Sequence, residues 1–425
     1  MIKANNPSLQ SWIKVEKNSD FPIQNLPFGI FKSIEKDKKP RVGSIIGNTV
    51  IDLSALAHEG YFNKCNFSTQ VFKSSSLNDF MALGKKVCAD VRNTLSDLFE
   101  KNNASLRDNA EINSKVLYPI DRVELLLPIK INDYTDFYSS KEHATNVGSM
   151  FRDPANALLP NWKHIPIGYH GRASSIVVSG TKFHRPKGQI KPQDAEAPIF
   201  VPTRSLDFEL EMAFTTCNAT KLGESISIAE SEDHIWGLML FNDWSARDMQ
   251  TWEYVPLGPF LAKSFASSVS PWVVTLDALE PFRTKGPEQD VKVLPYLEFS
   301  GNKNFNINLE VYIKAQDKEP FKVCTSNFKY MYWNMSQQLA HQTSNGCNIN
   351  VGDLYASGTI SGPTPDSYGS MLELTWRGTK PLKLADGSER KFINDHDTVI
   401  MKGFAENELT RIGFGEVKNK VLSAL

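Results

Sequence analysis

Polar and apolar residues alternate strictly over residues 206–212, which read LDFELEM. A period of two is the side-chain period of a β-strand, so this segment predicts a strand with one apolar face. The acids Asp207, Glu209 and Glu211 then share the opposite face, with neighbouring pairs about 6.6 Å apart along the strand. The chain is therefore expected to contain a strand whose polar face is entirely acidic.

The pattern alone leaves two interpretations of this acidic face open. The ordinary one is a half-buried strand whose acids face solvent. The functional one is a site for a hard divalent cation, because a cation relieves the repulsion among carboxylates on one face. The spacing of the acids does not choose between them.

Composition narrows the class of protein. At 425 residues the chain exceeds one ordinary core, which favours two or three domains. Its 47 Lys and Arg nearly balance 48 Asp and Glu, unlike nucleic-acid and polybasic membrane binders. Apolar runs fall far short of the roughly 20 residues that cross a bilayer, and the N-terminus lacks a signal-peptide core. Five scattered cysteines without a CxxC pair disfavour zinc and disulfides. We expect a cytoplasmic globular protein.

The character of the sequence changes between about residues 102 and 130. Before this boundary, short strands are predicted at 30–31 and 43–51, and apolar residues at three- and four-residue steps predict one amphipathic helix over 77–98. After it, a second helix is predicted over 328–339, capped by Ser326 or Asn327. The remaining apolar runs predict strands at 177–178, 206–214, 237–241, 272–276, 305–313 and 371–376. The fold class is expected to be mainly β.

Several other segments carry groups suited to chemistry. Histidine titrates near neutral pH, so His143 suits a general base, although an isolated histidine is commonly structural. Asp243 stands where an apolar strand ends, a common place for functional groups. Lys263 lies in an apolar, small-residue stretch, either as a surface residue or as a desolvated cation facing a ligand. Glu373 lies between leucines and needs a buried partner.

Together these segments resemble the fumarylacetoacetase family from about residue 21 to residue 425. The resemblance lies in long motifs rich in Trp, His and Gly, so coincidence is excluded. The motifs are DFPIQNLPFG, DYTDFYSS with KEHATNVG, PIGYHGRASSIVVSG, LDFELEMAF, NDWSARDMQ with WEYVPLGPFLAKSF, and LYASGTISG with MLELTW.

The resemblance implies a fold and a function. It implies a small SH3-like β-barrel over residues 1–125 and a large β-sandwich-like roll over residues 126–425, assembled as a homodimer. It implies metal-dependent hydrolysis of the carbon–carbon bond of 4-fumarylacetoacetate to fumarate and acetoacetate, the last step of tyrosine and phenylalanine breakdown. Two alternatives remain: a related metal-dependent acylpyruvate hydrolase or decarboxylase, and an inactive scaffold on the same fold.

The resemblance also implies roles for individual residues. The calcium ligands are Asp136, Glu209, Glu211 and Asp243, and a second, magnesium site uses Asp243, Lys263 and Ser267. The base is His143, oriented by Glu373. Arg247, Gln250 and Lys263 stand around the developing oxyanion. Substrate contacts match Tyr138, Arg152, Tyr169, Gln250, Tyr254 and Thr359.

One position departs from the family pattern, because Ala266-Ser267 stand where the family has Gly-Thr. Ser267 keeps a hydroxyl, and Lys263 suits a metal only through its carbonyl, since an ammonium repels a cation.

The assignment of His143 as base makes a geometric prediction. Its side chain and that of Glu373 should lie within hydrogen-bonding distance, although more than two hundred residues separate them.

Overall fold

The structure is a computed structural model that describes residues 2–35 and 37–425. This part of the chain is mainly β, as the alternating patterns predict. Each of its helices is too short or too polar to cross a membrane.

The N-terminal part combines five strands with short helices. The strands are β1 (Phe28–Ser33), β2 (Arg41–Ile46), β3 (Thr49–Asp52), β4 (Leu117–Pro119) and β5 (Val123–Leu126). The helices are α1 (Leu53–His58), α2 (Asn78–Met81), α3 (Gly84–Phe99), α4 (Ala104–Arg107) and α5 (Ala110–Val116).

The C-terminal part is strand-rich. Its strands are β6 (Tyr134–Phe137), β7 (Gly168–His170), β8 (Ile176–Val178), β9 (Phe183–His184), β10 (Lys187–Ile190), β11 (Ile199–Pro202), β12 (Leu206–Asp207), β13 (Leu210–Thr216), β14 (Ile235–Asp243), β15 (Ser245–Ala246), β16 (Ser267–Val269), β17 (Trp272–Thr275), β18 (Arg283–Thr284), β19 (Asn304–Phe305), β20 (Asn308–Lys314), β21 (Phe321–Asn327), β22 (Leu354–Ala356), β23 (Leu382–Lys383), β24 (Glu389–Arg390), β25 (Thr398–Glu406) and β26 (Arg411–Leu422). Its helices are α6 (Lys141–Phe151), α7 (Ser231–His234), α8 (Arg247–Glu253), α9 (Leu276–Leu279), α10 (Met335–Thr343) and α11 (Met371–Leu374).

The largest sheet joins both parts of the chain, in the order β4-β3-β2-β1-β17-β14-β13-β22-β6-β7. β1 pairs with β2 over residues 28–31, with β5 over residues 30–33 and with β17 at Phe28 and Gly29. One edge of β1 is therefore divided between β5 and β17. The predicted SH3-like barrel is not found as a closed barrel in the described chain, because this divided edge opens the N-terminal strands toward the C-terminal sheet.

The central strand β14 is buried on both faces. Leu238 and Leu240 pack into the core beneath β20, β25 and β26, whereas Met239 and Phe241 pack against the N-terminal helices. Burial on both faces explains why this strand reads as an uninterrupted apolar run. It also places the end of β14, at Asp243, deep inside the molecule.

Several predicted elements are divided or begin later than predicted, among them the strands over 43–51, divided into β2 and β3, and over 305–313, divided into β19 and β20. The helix over 77–98 is broken into α2 and α3 at Gly84, whose φ of 81° lies in the left-handed region. The strand over 206–214 changes partner between β12, which pairs with β15, and β13. The second helix is α10, which starts only at Met335, because Asn334 and Gln337 form its capping box. Asn327 caps an earlier 3₁₀ turn instead.

The prediction of a strand over 371–376 is wrong. Residues Met371–Leu374 form the short helix α11, and the side chain of Ser370 accepts a hydrogen bond from the backbone N–H of Glu373. Serine followed three residues later by glutamate is a helix-start signature, and that signal was present in the sequence.

Candidate active site

Four buried carboxylates meet where neighbouring strands of the large sheet end or begin. Asp136 lies on β6, Glu211 on β13, and Asp243 ends β14, while Glu209 immediately precedes β13. One oxygen from each lies within 4.8 Å of the others. We call these four residues the acidic cluster. The alternation seen in the sequence thus contributes Glu209 and Glu211, but Asp207 lies outside the cluster.

Two members of the acidic cluster lack a cationic partner. Oδ1 of Asp136 and Oε1 of Glu211 are buried with no hydrogen-bond donor among the described residues. Burial and the charge of Asp243 raise the pKa of Asp136 well above its ordinary value, and burial and Asp136 do the same for Glu211. Orphaned, mutually repelling carboxylate oxygens are the ligands that a hard divalent cation prefers. The residues present therefore fit a divalent metal.

The other two members are paired with a buried cation. Nζ of Lys263 donates to Glu209 and, at 2.7 Å, to Oδ2 of Asp243. Burial lowers the pKa of Lys263, but Asp243 and Glu209 outweigh burial and raise it above its ordinary value. Its side chain is therefore an ammonium that neutralises carboxylates rather than a metal ligand.

Two hydroxyls complete the surroundings of Asp243. Oγ of Ser267 donates to Oδ1 and the phenol of Tyr169 donates to Oδ2, both at 2.7 Å. Ser267 thus places its hydroxyl on the carboxylate that the family resemblance assigns to both metal sites.

His143 and Glu373 form the second charged region of the site. Ser140 caps α6 by accepting a hydrogen bond from the backbone N–H of His143 at 3.2 Å. Nδ1 of His143 lies 2.7 Å from Oε2 of Glu373, which confirms the predicted contact between these side chains. Nε2 is then the ring nitrogen that can take a proton from a reacting group.

Glu373 is held on all sides. Ser361 and Ser370 donate to Oε2 at 2.9 and 2.8 Å, and Asn146, one turn beyond His143 on α6, donates to Oε1 at 2.9 Å. Burial raises the pKa of this carboxyl, but His143 together with the donors Asn146 and Ser370 outweighs burial and lowers it. Glu373 therefore stays ionised without solvent.

Arg247 is a second buried cation beside the acidic cluster. Its Nε donates to Oδ2 of Asp207 at 2.8 Å, its Nη2 lies 2.8 Å from Oε1 of Glu209, and its Nη1 donates to Oε1 of Gln250 at 3.1 Å. Burial lowers the pKa of Arg247, but Glu209 and Asp207 outweigh burial and raise it. Burial raises the pKa of Glu209, but Lys263 and Arg247 outweigh burial and lower it.

Three of the predicted substrate contacts line this site. The ring of Tyr138 stands edge-on to His143 at 5.2 Å, and Tyr169 contacts Asp243. Thr359 is buried beside Gly358, whose N–H donates to Oε2 of Glu211 at 3.0 Å. Gly358 has a φ of 78°, and a Cβ there would collide with the carbonyl of Phe137, so only glycine permits this approach.

Two predicted contacts lie outside the buried site. Arg152, at the end of α6, is exposed and donates from Nη2 to the carbonyl of Ala157 at 2.6 Å. Tyr254, at the end of α8, is 59% exposed. Both stand on segments that border the site rather than on its strands.

The sequence-based assignment missed Asn146, Ser361, Ser370 and Asp207. Asn146 lies three residues after His143, so a helix through His143 would have placed both on one face. Asp207 was visible as the third acid of the alternation. Nothing local marked Ser361 among its small neighbours.

Comparisons with known proteins identify the family of the chain. The family model described as Fumarylacetoacetase N-terminal matches residues 24–128, and the one described as Fumarylacetoacetate (FAA) hydrolase C-terminal matches residues 133–422. The chain is 54% identical over 421 residues to the fumarylacetoacetase of Dictyostelium discoideum, covering 98% of each chain. It is 51% identical over 416 residues to that of Homo sapiens, covering 98% of this chain and 99% of the relative.

Solved structures share the fold at lower identity. A fumarylacetoacetate hydrolase from Exiguobacterium antarcticum is 16% identical with a TM-score of 0.52, over 94% of this chain and 99% of that one. A maleylpyruvate hydrolase from Sphingobium, solved with manganese(II) and pyruvate, is 13% identical with a TM-score of 0.50, over 94% of this chain and 100% of that one.

Proposed function

The chain belongs to the fumarylacetoacetase family, and from this membership we infer the chemistry of its buried site. It is a hydrolase that cleaves a carbon–carbon bond of fumarylacetoacetate. An acylpyruvate hydrolase, a decarboxylase and an inactive scaffold are not favoured, because full-length relatives about half identical are fumarylacetoacetases. We propose fumarate and acetoacetate as products, which makes this the last step of tyrosine and phenylalanine breakdown.

We propose that the acidic cluster holds Ca²⁺. Lys263 neutralises part of the charge on Glu209 and Asp243, whereas Asp136 and Glu211 have no cationic partner in the described chain. Two such carboxylates carry the charge that one divalent ion neutralises, and oxygen ligands suit calcium. A manganese ion in the related maleylpyruvate hydrolase supports a divalent metal on this fold. When bound, the cation supplies Lewis-acid polarisation of the two oxygens of the β-diketone.

We also propose a second site, for Mg²⁺, from Asp243, Ser267 and the carbonyl of Lys263. Its support is the hydrogen bond between Ser267 and Asp243, which places a hydroxyl and a carboxylate together. Oxygen ligands are those that magnesium accepts.

The observation that carries the mechanism is the buried contact between His143 and Glu373. We propose that Nε2 of His143 takes a proton from the attacking water. Glu373 accepts a hydrogen bond from Nδ1–H, so it fixes the tautomer and stabilises the imidazolium that forms. The departing carbon then needs a proton, which the imidazolium can return.

Charge on the attacked carbonyl oxygen is the second requirement. We propose that Lys263, Arg247 and Gln250 stabilise this oxyanion, because two of them are buried cations and the third is held by Arg247. Each well-placed donor is worth about 3–4 kcal/mol of the barrier.

Substrate binding is proposed for Tyr138, Tyr169, Gln250 and Thr359 around the reacting atoms, and for Arg152 and Tyr254 at the border. The planar fork of Arg152 binds a carboxylate through two hydrogen bonds. We propose that Arg152 exchanges the carbonyl of Ala157 for a carboxylate of the substrate.

We further propose two domains, residues 1–125 and 126–425, in a cytoplasmic homodimer. The two family models meet between residues 128 and 133, which supports the division. The five cysteines are all free, as in a reducing compartment. Val255 and Leu257 are 63% and 78% exposed on one loop and offer an apolar contact to a second copy.

The decisive experiment measures loss of the ultraviolet absorbance of fumarylacetoacetate with purified protein, before and after chelation of divalent metals. We expect turnover that chelation abolishes and Ca²⁺ or Mg²⁺ restores. An acylpyruvate substrate serves as the control for specificity. Turnover that survives exhaustive chelation would contradict the metal proposal, and preference for the acylpyruvate would favour the alternative enzyme.

A further inference from the structure

We infer that Asp207 is a positioning residue that aligns both Arg247 and Glu373, an inference that rests on the roles proposed above for those two residues. Asp207 is fully buried and lies on the same alternating segment as Glu209 and Glu211. It nevertheless contributes no oxygen to the acidic cluster. Its hydrogen bonds join it instead to Arg247 and to the start of α11.

The carboxylate of Asp207 joins two separate parts of the site. Its Oδ2 accepts hydrogen bonds from Nε of Arg247 at 2.8 Å and from the N–H of Leu372 at 3.0 Å. Its Oδ1 accepts from the N–H of Met371 at 2.6 Å. These are the first two N–H groups of α11, which have no partner within the helix. One side chain thus links the guanidinium to the helix that carries Glu373.

On the first side, Asp207 sets the direction of the guanidinium. A planar guanidinium held at Nε has its two Nη groups fixed in direction. In Arg247 those groups face Glu209 and Gln250, the residues at the reacting end of the site. Loss of the bond at Nε would leave the guanidinium free to turn.

On the second side, Asp207 sets the position of α11. Ser370 accepts the N–H of Glu373 and donates to its Oε2, so helix and carboxylate move together relative to His143. A misplacement of about 1 Å at a reacting group can cost about 100-fold in rate. Burial raises the pKa of Asp207, although Arg247 and the N–H of Leu372 act in the opposite direction.

A matched control exists in the N-terminal part of the chain. Asp52 is also buried and also links an arginine to a helix start: Oδ2 accepts from Nε of Arg41 at 2.5 Å and Oδ1 accepts from the N–H of Ala55 at 2.9 Å. Asp52→Asn therefore removes the same type of contact away from the site.

The experiment compares Asp207→Asn with Asp52→Asn in the metal-loaded full chain. The readouts are kcat and KM for fumarylacetoacetate and the melting temperature. We expect both substitutions to lower the melting temperature, and only Asp207→Asn to lower kcat, by about 100-fold, with KM changed less than about threefold. Asp207→Glu, which restores the charge, should recover part of kcat.

Arg247→Ala and its double variant with Asp207→Asn complete the test. The double variant should lose more than Arg247→Ala alone but less than the product of the single losses, because Asp207 acts partly through Arg247. Independent losses, or a kcat of Asp207→Asn within about threefold of Asp52→Asn, would overturn the inference.

Two further results separate the inference from the proposed function. If Arg247→Ala loses kcat while Asp207→Asn does not, the inference alone fails. If Arg247→Ala keeps wild-type kcat, the role proposed for Arg247 fails and the inference fails with it. Should Asp207→Asn not fold, Asp207→Glu and Asp52→Glu are compared by the same criterion.

Discussion

The acidic cluster and the His143–Glu373 pair are both buried, yet the pKa values of their carboxyl groups are shifted in opposite directions. Asp136 and Glu211 have raised pKa values, through burial and the repulsion of neighbouring acids. Glu373 is equally buried and has a lowered pKa, because His143 together with the donors Asn146 and Ser370 outweighs burial. Burial alone therefore does not set the charge state; the partners of each oxygen do.

The carboxylate of the His143–Glu373 pair has all its hydrogen-bond partners within the protein, whereas the carboxylates of the acidic cluster do not. The His143–Glu373 pair has a donor on each oxygen of its carboxylate without any ligand. The acidic cluster keeps two buried carboxylate oxygens without a hydrogen-bond donor among the described residues. The His143–Glu373 pair is thus already assembled beside carboxylates that lack hydrogen-bond donors. This arrangement suits an enzyme whose acidic cluster is neutralised by a bound cation.

The largest effect should follow from changing an orphaned acid. Asp136→Asn should abolish turnover and cut the affinity for Ca²⁺, because it removes a ligand charge. In chelator, however, its melting temperature should equal or exceed that of the wild type, since it also removes a repulsion. Glu373→Gln should melt lower under the same conditions, because a buried acceptor of four hydrogen bonds is altered.

Calorimetry measures both effects when it is done in chelator and then repeated at a Ca²⁺ concentration of about 100 times the dissociation constant. The wild type should gain about 2.7 kcal/mol from the ion and Asp136→Asn should gain far less. If Asp136→Asn in chelator is destabilised as strongly as Glu373→Gln, the contrast between the two regions is wrong.

The next largest effect is expected at the His143–Glu373 pair. His143→Ala should lower kcat by about 10²–10⁴-fold, the usual contribution of a general base. Glu373→Gln should also lower kcat strongly, and the double variant should lose little beyond His143→Ala, because the two residues act as a unit. Steady-state kinetics of the three variants make the test; multiplicative losses would show that the residues act independently.

A third buried carboxyl, outside the acidic cluster, tests how far a pKa is raised when burial is the main cause. Burial raises the pKa of Asp353 to about 6, although it accepts hydrogen bonds from the N–H groups of Asn350 and Asp133. The folded state then binds more protons than the unfolded state between about pH 4 and 6. The free energy of unfolding should therefore fall as pH rises through this range, by up to about 3 kcal/mol.

Denaturant unfolding of the wild type and Asp353→Asn across pH 4–8 measures this slope. The variant should lack that component of the slope, with and without Ca²⁺, because Asp353 lies outside the acidic cluster. An identical slope in both proteins would assign the pH dependence to other groups.

The smallest effect is expected at Ser267, where the family resemblance implies threonine. Ser267→Thr keeps the hydroxyl that bonds to Asp243, so kcat should change by less than tenfold, about 1.4 kcal/mol. The matched substitution Ser267→Ala removes the hydroxyl and should weaken Mg²⁺ binding more. A larger gain in kcat with threonine would show that serine is a defect here.

Local patterns in the sequence determined much of this protein. The alternation over residues 206–212 predicted strand structure and the acids Glu209 and Glu211, because side-chain period depends only on backbone geometry. Family motifs pointed to His143, Lys263 and Arg247, whose side chains do converge on one site.

Tertiary structure decided which of these groups meet. His143 and Glu373 are 230 residues apart, and their contact depends on how α6 and α11 are placed by the sheet. The same holds for Asp207, which left the acidic face because β12 and β13 take different partners. The edge of β1 that is divided between β5 and β17 likewise depends on such long-range pairing. Short-range periodicity reports backbone conformation, whereas pairing across hundreds of residues depends on topology and on the burial of charge that topology imposes.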